Sequence, residues 1–201
     1  MGTLRRVLWS VGLGYIVGTV PTADLVASRA AGGAVDLRLV GSGNPGGMNA
    51  LGLLGPKAGA AVVAGDIAKG LVACALGAVT GGGAGAQLAG SAAVVGHCHP
   101  VWTGFGSGGK GVATSIGQCL ATFPAFFPID AAVAATAVAV PTWKRRAFVA
   151  TTASSVGWIL GAVVWWRRGW PNLWGPRPTV LLPVTTLASS IVIAERFAAS
   201  G

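Results

Sequence analysis

Two short stretches gather residue types suited to holding an anion. Residues 41–49 read Gly-Ser-Gly-Asn-Pro-Gly-Gly-Met-Asn, and residues 104–111 read Gly-Phe-Gly-Ser-Gly-Gly-Lys-Gly. Neither composition sustains a helix. Glycine and asparagine reach positive φ at low cost, and successive backbone N–H groups can then converge on one point. Such an amide nest with a lysine beside it is a phosphate cradle. The first loop offers Gly41, Ser42, Gly43, Asn44, Gly46 and Asn49; the second offers Gly108, Gly109, Lys110 and Gly111. Arg38, four residues before Ser42, either adds a bidentate guanidinium or serves only to set topology.

Two nucleotide motifs are spelled here and set aside. Gly41-x-Gly43-x-x-Gly46 matches the dinucleotide fingerprint, which has meaning only between a strand and a helix. An apolar segment of bilayer-crossing length precedes it instead. Gly104 to Lys110 approaches the P-loop spacing, but Gly111 stands where a metal-binding hydroxyl is required.

A metal centre is not expected. His97 and His99 are the only histidines, and positions two apart diverge on a helix. Cys74, Cys98 and Cys119 are too scattered for a C-x-x-C pair or a disulfide framework. His97 is expected at the end of a span, bonding a phosphate or holding a loop. Asp66 and Lys69 share a helix face. Each costs about 2.5–3.5 kcal/mol at a bilayer centre when unpaired. They should therefore pair inside the bundle, or Lys69 should reach a phosphate pocket with Asp66 orienting it.

The elements that must position these residues are membrane helices. Of 201 residues, 53% are hydrophobic and 9% charged, against roughly a quarter charged in soluble domains. The expected fold is an all-α, polytopic integral membrane bundle of about seven transmembrane helices, one domain over residues 1–201. Spans are expected near residues 7–28, 51–80, 84–102, 111–127, 128–142, 148–166 and 179–195. Pro21 and Asp24 should kink or end the first, and residues 80–87 should form an uncharged glycine-rich turn. No clear signal-peptidase site follows the first segment, which is therefore read as a retained span. Gly55/Gly59, Ala61/Gly65 and Gly77/Gly81 have the spacing of close helix packing, which a Gly- and Ala-rich genome would also produce.

The net charge of +9 lies in the connections, which favours topology and anionic headgroups over nucleic acid. Residues Arg29, Arg38, Lys57, Lys110, Lys144, Arg145, Arg146 and Arg196 fall on one face; Arg5, Arg6, Arg167, Arg168 and Arg177 fall on the other. The excess of basic residues puts both glycine loops in the cytoplasm, with the chain in the cell inner (plasma) membrane.

Three ordered motifs then resemble one family, the bacterial acyl-phosphate:glycerol-3-phosphate acyltransferases (PlsY family). They are Asp36-Leu37-Arg38 with Gly41-Ser-Gly-Asn-Pro-Gly46 and Asn49; Asp66-x-x-Lys69-Gly70; and Gly96-His97-x-x-Pro100 with Phe105 and Gly108-Gly-Lys-Gly-Val-Ala-Thr114. The resemblance covers roughly residues 10–120. It implies transfer of a fatty acyl group from acyl phosphate to the 1-hydroxyl of glycerol 3-phosphate, giving lysophosphatidic acid for phospholipid biosynthesis. It implies no metal or other cofactor, with the two phosphate compounds and membrane lipids as partners. By matching position, Ser42, Asn44, His97 and Lys110 become the expected catalytic residues. Arg38, Gly41, Gly43, Gly46, Asn49, Asp66, Lys69, Gly108, Gly109 and Gly111 become the expected substrate contacts.

Met48 replaces the family's usual threonine, and the second loop has one cation fewer and one residue more than the family pattern. The family's C-terminal His-x-x-Asn is expected to be missing, the chain ending Glu195-Arg-Phe-Ala-Ala-Ser-Gly201. A catalytically altered homologue with a phosphate-binding mouth is the alternative, and a small membrane transporter the reading from another class.

Overall fold

The computed structural model describes residues 2–106, 108–139 and 146–199, and of residues 137 and 138 only the backbone. The described residues contain eight α-helices and no strand. They are α1 (Thr3–Gly18), α2 (Thr22–Ala31), α3 (Gly47–Leu54), α4 (Pro56–Cys98), α5 (Val112–Thr122), α6 (Phe127–Ala139), α7 (Arg146–Arg168) and α8 (Leu181–Ala198), with a 3₁₀ turn at Val101–Thr103. Among the described residues, four stretches are long and apolar enough to cross a bilayer: Thr3–Ala31, Pro56–Thr103, Arg146–Arg168 and Leu181–Ala198. Large apolar side chains such as Leu8, Ile16, Val79, Leu160 and Ile191 remain exposed. On a bundle of this composition they are the lipid-facing surface.

α4 is the hub, packing against α1, α2, α3, α5 and α8. It is two limbs folded about Gly81 (φ −131°, ψ 15°) and Gly82 (φ 63°, ψ −152°). Only glycine enters the Gly82 conformation freely, so the expected turn over 80–87 tightens to a two-residue hinge. Ser10 braces it, its hydroxyl 2.7 Å from Thr80 Oγ1 and donating to the Arg6 carbonyl at 3.0 Å.

Each of the seven expected spans has a helical counterpart, with corrected ends. The first is broken at Pro21 into α1 and α2. The second starts later than Leu51, because Pro56 opens α4 behind Gly55 at φ 88° and leaves residues 47–54 as the separate α3. The fourth is short: α5 has 11 residues, or about 17 Å against a hydrocarbon core of about 30 Å, and the described part of the fifth is α6. α5 carries Thr114, Gln118 and Thr122 fully buried. Its polar face is covered by protein, with Ser189 of α8 donating to Gln118 Oε1 at 2.8 Å and its hydroxyl oxygen 3.1 Å from Ser91 Oγ. The basic group Lys144 and Arg145 falls outside the described residues.

Small residues decide the closest helix approach. A Cβ added at Gly14 or Gly18 of α1 would strike the backbone of Ala89 or Ala93 of α4, and one at Gly96 would strike Tyr15. Of the spaced pairs expected from sequence, Gly59, Gly65, Gly77 and Gly81 do sit against neighbours. Gly55 touches nothing within 4 Å and serves the chain reversal before Pro56.

A far-side core of Phe123, Phe126, Trp158 and Leu182 ties α5 to α8 together. Phe123 and Phe126 stack at 5.2 Å and Trp165 meets Phe123 edge-on at 5.4 Å. A second core of Ala23, Ala27, Leu37, Ala50 and Val62 fastens α2, the 32–46 connection and α3 onto α4.

Candidate active site

At the end of the bundle away from the hinge, a cavity of about 290 Å³ opens between α1–α2, both limbs of α4 and the two glycine loops. Arg38 and Pro45 reach it from the first loop region, Gly108 and Gly109 from the second, and Asp66, Lys69 and His97 from α4. Residues some 70 positions apart in sequence thus share one wall, because α4 doubles back and returns His97 to the level of Asp66.

The charges inside are ordered. Lys69 Nζ lies 2.9 Å from Asp66 Oδ1 and donates to the Val20 carbonyl at 3.0 Å. That carbonyl is available because Pro21 interrupts the helix after it. Both side chains are at least nine-tenths buried, and His97 Nδ1 faces the same Asp66 oxygen at 3.6 Å, beyond direct hydrogen-bonding reach. The expected pairing is present, and the pair also borders the cavity.

Arg38 is engaged by Asp24 through both terminal nitrogens, at 2.6 and 2.8 Å, with Asp36 at 3.5 Å. The hydrogen bonds to Asp24 raise the guanidinium above its ordinary pKa, against the opposing effect of burial, so it is a permanent cation. Sequence reasoning gave Asp24 only the task of ending a span. An acid beside an apolar run was the available signal that it has a basic partner.

The first loop is built by Asn49. Its Nδ2 donates to the carbonyls of Leu37 (2.9 Å) and Val40 (3.0 Å), and its Oδ1 accepts from the Ser42 amide at 3.0 Å. Gly41 (φ 63°) leaves room for that amide, since a Cβ there would collide with Asn49 Oδ1. Gly43 (φ 67°) continues the turn, and Gly46 packs on the half-buried Asn44 while preceding α3. Ser42 is exposed on the loop, outside the cavity lining.

The second loop is pressed against the end of α4. Gly109 N–H donates to the His97 carbonyl at 3.2 Å, and a Cβ at Gly109 would meet His97 Nε2. A Cβ at Gly108 would meet the His97 and Cys98 carbonyls. Gly111 (φ 83°) precedes α5. Lys110 lies outside the lining, its ammonium 4.4 Å from the centre of the Phe197 ring. Burial, with Arg196 adding to it, lowers its pKa. Arg196 donates to three carbonyls of this loop, a role that no motif announced. Among the described residues no group of three or more His, Cys, Asp or Glu is arranged to hold a metal.

Fold and site together define a multi-pass integral membrane protein with a cavity at one end of the bundle lined by Arg38, Asp66, Lys69, His97 and two loop glycines. Residues 8–198 match the family model described as glycerol-3-phosphate acyltransferase. The glycerol-3-phosphate acyltransferase of Desulforudis audaxviator is 38% identical over 160 residues, covering 79% of each chain. That of Roseobacter denitrificans is 37% identical over 175 residues, covering 80% of this chain and 86% of its own. The crystal structure of PlsY (YgiH) in its glycerol 3-phosphate form superposes with a TM-score of 0.73 at 29% identity, covering 96% of this chain and 88% of that one. Its lysophosphatidic acid form gives 0.71 at 28% identity, covering 94% and 87%. The chain belongs to the glycerol-3-phosphate acyltransferase family.

Proposed function

We propose that the cavity is where glycerol 3-phosphate meets an acyl phosphate, and that the chain transfers the acyl group to the 1-hydroxyl, releasing lysophosphatidic acid and inorganic phosphate. The observation that carries this reading is the convergence of Arg38, Lys69 and His97 with Gly108 and Gly109 on one small cavity. Its volume suits a phosphorylated three-carbon alcohol and a phosphate group, while the acyl tail lies along the apolar surface of the bundle.

Acyl phosphate is a mixed anhydride with a good leaving group. The hydroxyl oxygen attacks the acyl carbon, the carbon–oxygen bond to phosphate breaks, and phosphate departs. Little covalent work is left to the protein, so rate comes from holding two anions in register and from donors facing the developing oxyanion. Arg38 and Lys69 supply fixed positive charge. The loops bearing Ser42, Asn44 and Lys110 close over the phosphates, with Asn49, Gly41, Gly43, Gly46 and Gly111 holding their shape. His97, with Asp66 behind it, and the departing phosphate are the two acceptors for the hydroxyl proton. The mouth faces the cytoplasm of the inner (plasma) membrane, where water-soluble glycerol 3-phosphate is found.

The deciding experiment supplies the purified protein in lipid with labelled glycerol 3-phosphate and either acyl phosphate or acyl-CoA. Lysophosphatidic acid formed from acyl phosphate alone is expected; product from acyl-CoA alone, or none from either, overturns the reading. A phosphate-binding homologue without turnover is the second reading. It is favoured by the carboxylate of Asp24 already occupying the fork of Arg38, and saturable glycerol 3-phosphate binding without product would identify it.

A further inference from the structure

We infer that Arg196 is a positioning residue: the last turn of α8 clasps the second glycine loop and holds it against His97. The inference rests on the cavity being the reaction site proposed above.

A loop of Gly104, Phe105, Gly106, Gly108 and Gly109 has almost no side chains with which to fix itself, and its backbone carbonyls must find donors. Arg196 supplies them from one rigid fork. Nε donates to Gly109 O at 3.3 Å, one terminal nitrogen to Gly106 O at 3.1 Å and the other to Gly108 O at 2.6 Å. Lysine, a compact ammonium on a flexible stem, cannot reproduce that planar spread.

One of these peptide units, Gly108–Gly109, is gripped from the opposite side as well. Because a trans peptide points its C=O and N–H in opposite directions, the unit whose carbonyl faces Arg196 turns the Gly109 N–H to the His97 carbonyl. The loop is thereby stapled between α8 and α4, with the Gly109 α-carbon on the His97 imidazole. The neighbours of Arg196 add to the clasp: Phe197 lies under Lys110 at 4.4 Å, and Glu195 Oε2 lies 3.8 Å from His99 Nε2. His99 Nδ1 in turn donates to the Phe105 carbonyl at 2.9 Å. Any movement of this turn of α8 is transmitted to Gly108 and Gly109, which line the cavity.

The test compares the full-length wild type with Arg196→Gln and Arg196→Lys in lipid nanodiscs. Amide hydrogen exchange over residues 104–111 is expected to accelerate about tenfold or more in Arg196→Gln, with α4 and α7 unchanged. Arg196→Lys should fall between the two. In the acyl-transfer assay the KM for glycerol 3-phosphate should rise about tenfold in Arg196→Gln and recover in part in Arg196→Lys, tracking the exchange. Unchanged loop exchange in both variants overturns the clasp. Accelerated exchange with wild-type kinetics overturns its functional consequence. Wild-type protein without any acyl transfer refutes the proposed reaction, while the exchange arm still decides the clasp. If Arg196→Gln fails to fold, the Arg196→Lys arm alone carries both readouts.

Discussion

The carboxylate of Asp24 lies flat against the guanidinium of Arg38, oxygen to nitrogen at 2.6 and 2.8 Å, and both residues line the cavity. A substrate phosphate must share this arginine with Asp24 or take Asp24's place. Asp24→Asn removes the competing charge and should tighten inhibition by inorganic phosphate about two- to fivefold, the scale of one partly exposed charge. Weaker inhibition would instead make Asp24 the residue that aims Arg38. Arg38→Ala should raise the glycerol 3-phosphate KM or abolish turnover, with the protein still eluting as a folded species.

Lys110 is the cation of the second loop, yet it rests on Phe197 outside the cavity lining. On the proposed mechanism it swings to a substrate phosphate. Lys110→Ala should then raise the glycerol 3-phosphate KM or stop turnover. A kinetic effect under twofold would show that it only packs on the ring.

Asp66 and Lys69 neutralise one another where water is scarce. Lys69→Met alone strands a buried carboxylate and should cost about 3–5 kcal/mol. Pairing it with Asp66→Asn should restore most of the loss. Thermal unfolding in detergent of both single variants and the double variant gives the coupling directly, and additive losses would contradict it.

Gly109→Ala forces a methyl group onto His97 Nε2, whereas Gly106 has nothing within 4 Å. Acyl transfer should collapse in the first variant and survive in Gly106→Ala. Equal rates in the two would mean that the Gly109–His97 contact is not needed.

α1 meets α4 backbone to backbone at Gly14 and Gly18, while Gly12 faces open space. Gly14→Val or Gly18→Val should lower stability by about 1–3 kcal/mol or more, as overpacking does. Gly12→Val should be near neutral. A melting temperature unchanged in all three would remove the small-residue contact from the account of the fold.

Hydropathy alone revealed the membrane class, since segments of this length and apolarity have no stable place in water. That residues 41–46 and the described residues between 104 and 111 would be irregular loops was also legible, because glycine and asparagine at that density do not sustain a helix. Helix periodicity put Asp66 and Lys69 on one face and left two outcomes, an ion pair inside the bundle or a lysine in a phosphate pocket; the structure shows the pair at 2.9 Å, bordering the cavity.

Other features depended on contacts across long stretches of chain. The approach of Asp24 to Arg38, the return of His97 to Asp66 through the Gly81–Gly82 hinge, and the grip of Arg196 on Gly106, Gly108 and Gly109 join residues 14, 31 and 87–90 positions apart. Local sequence records what a segment buries and how its backbone bends. Which carbonyl an arginine reaches is decided by how the helices cross, and that is fixed by Gly14 and Gly18 fitting α4, and by α5 being short and packed against α4.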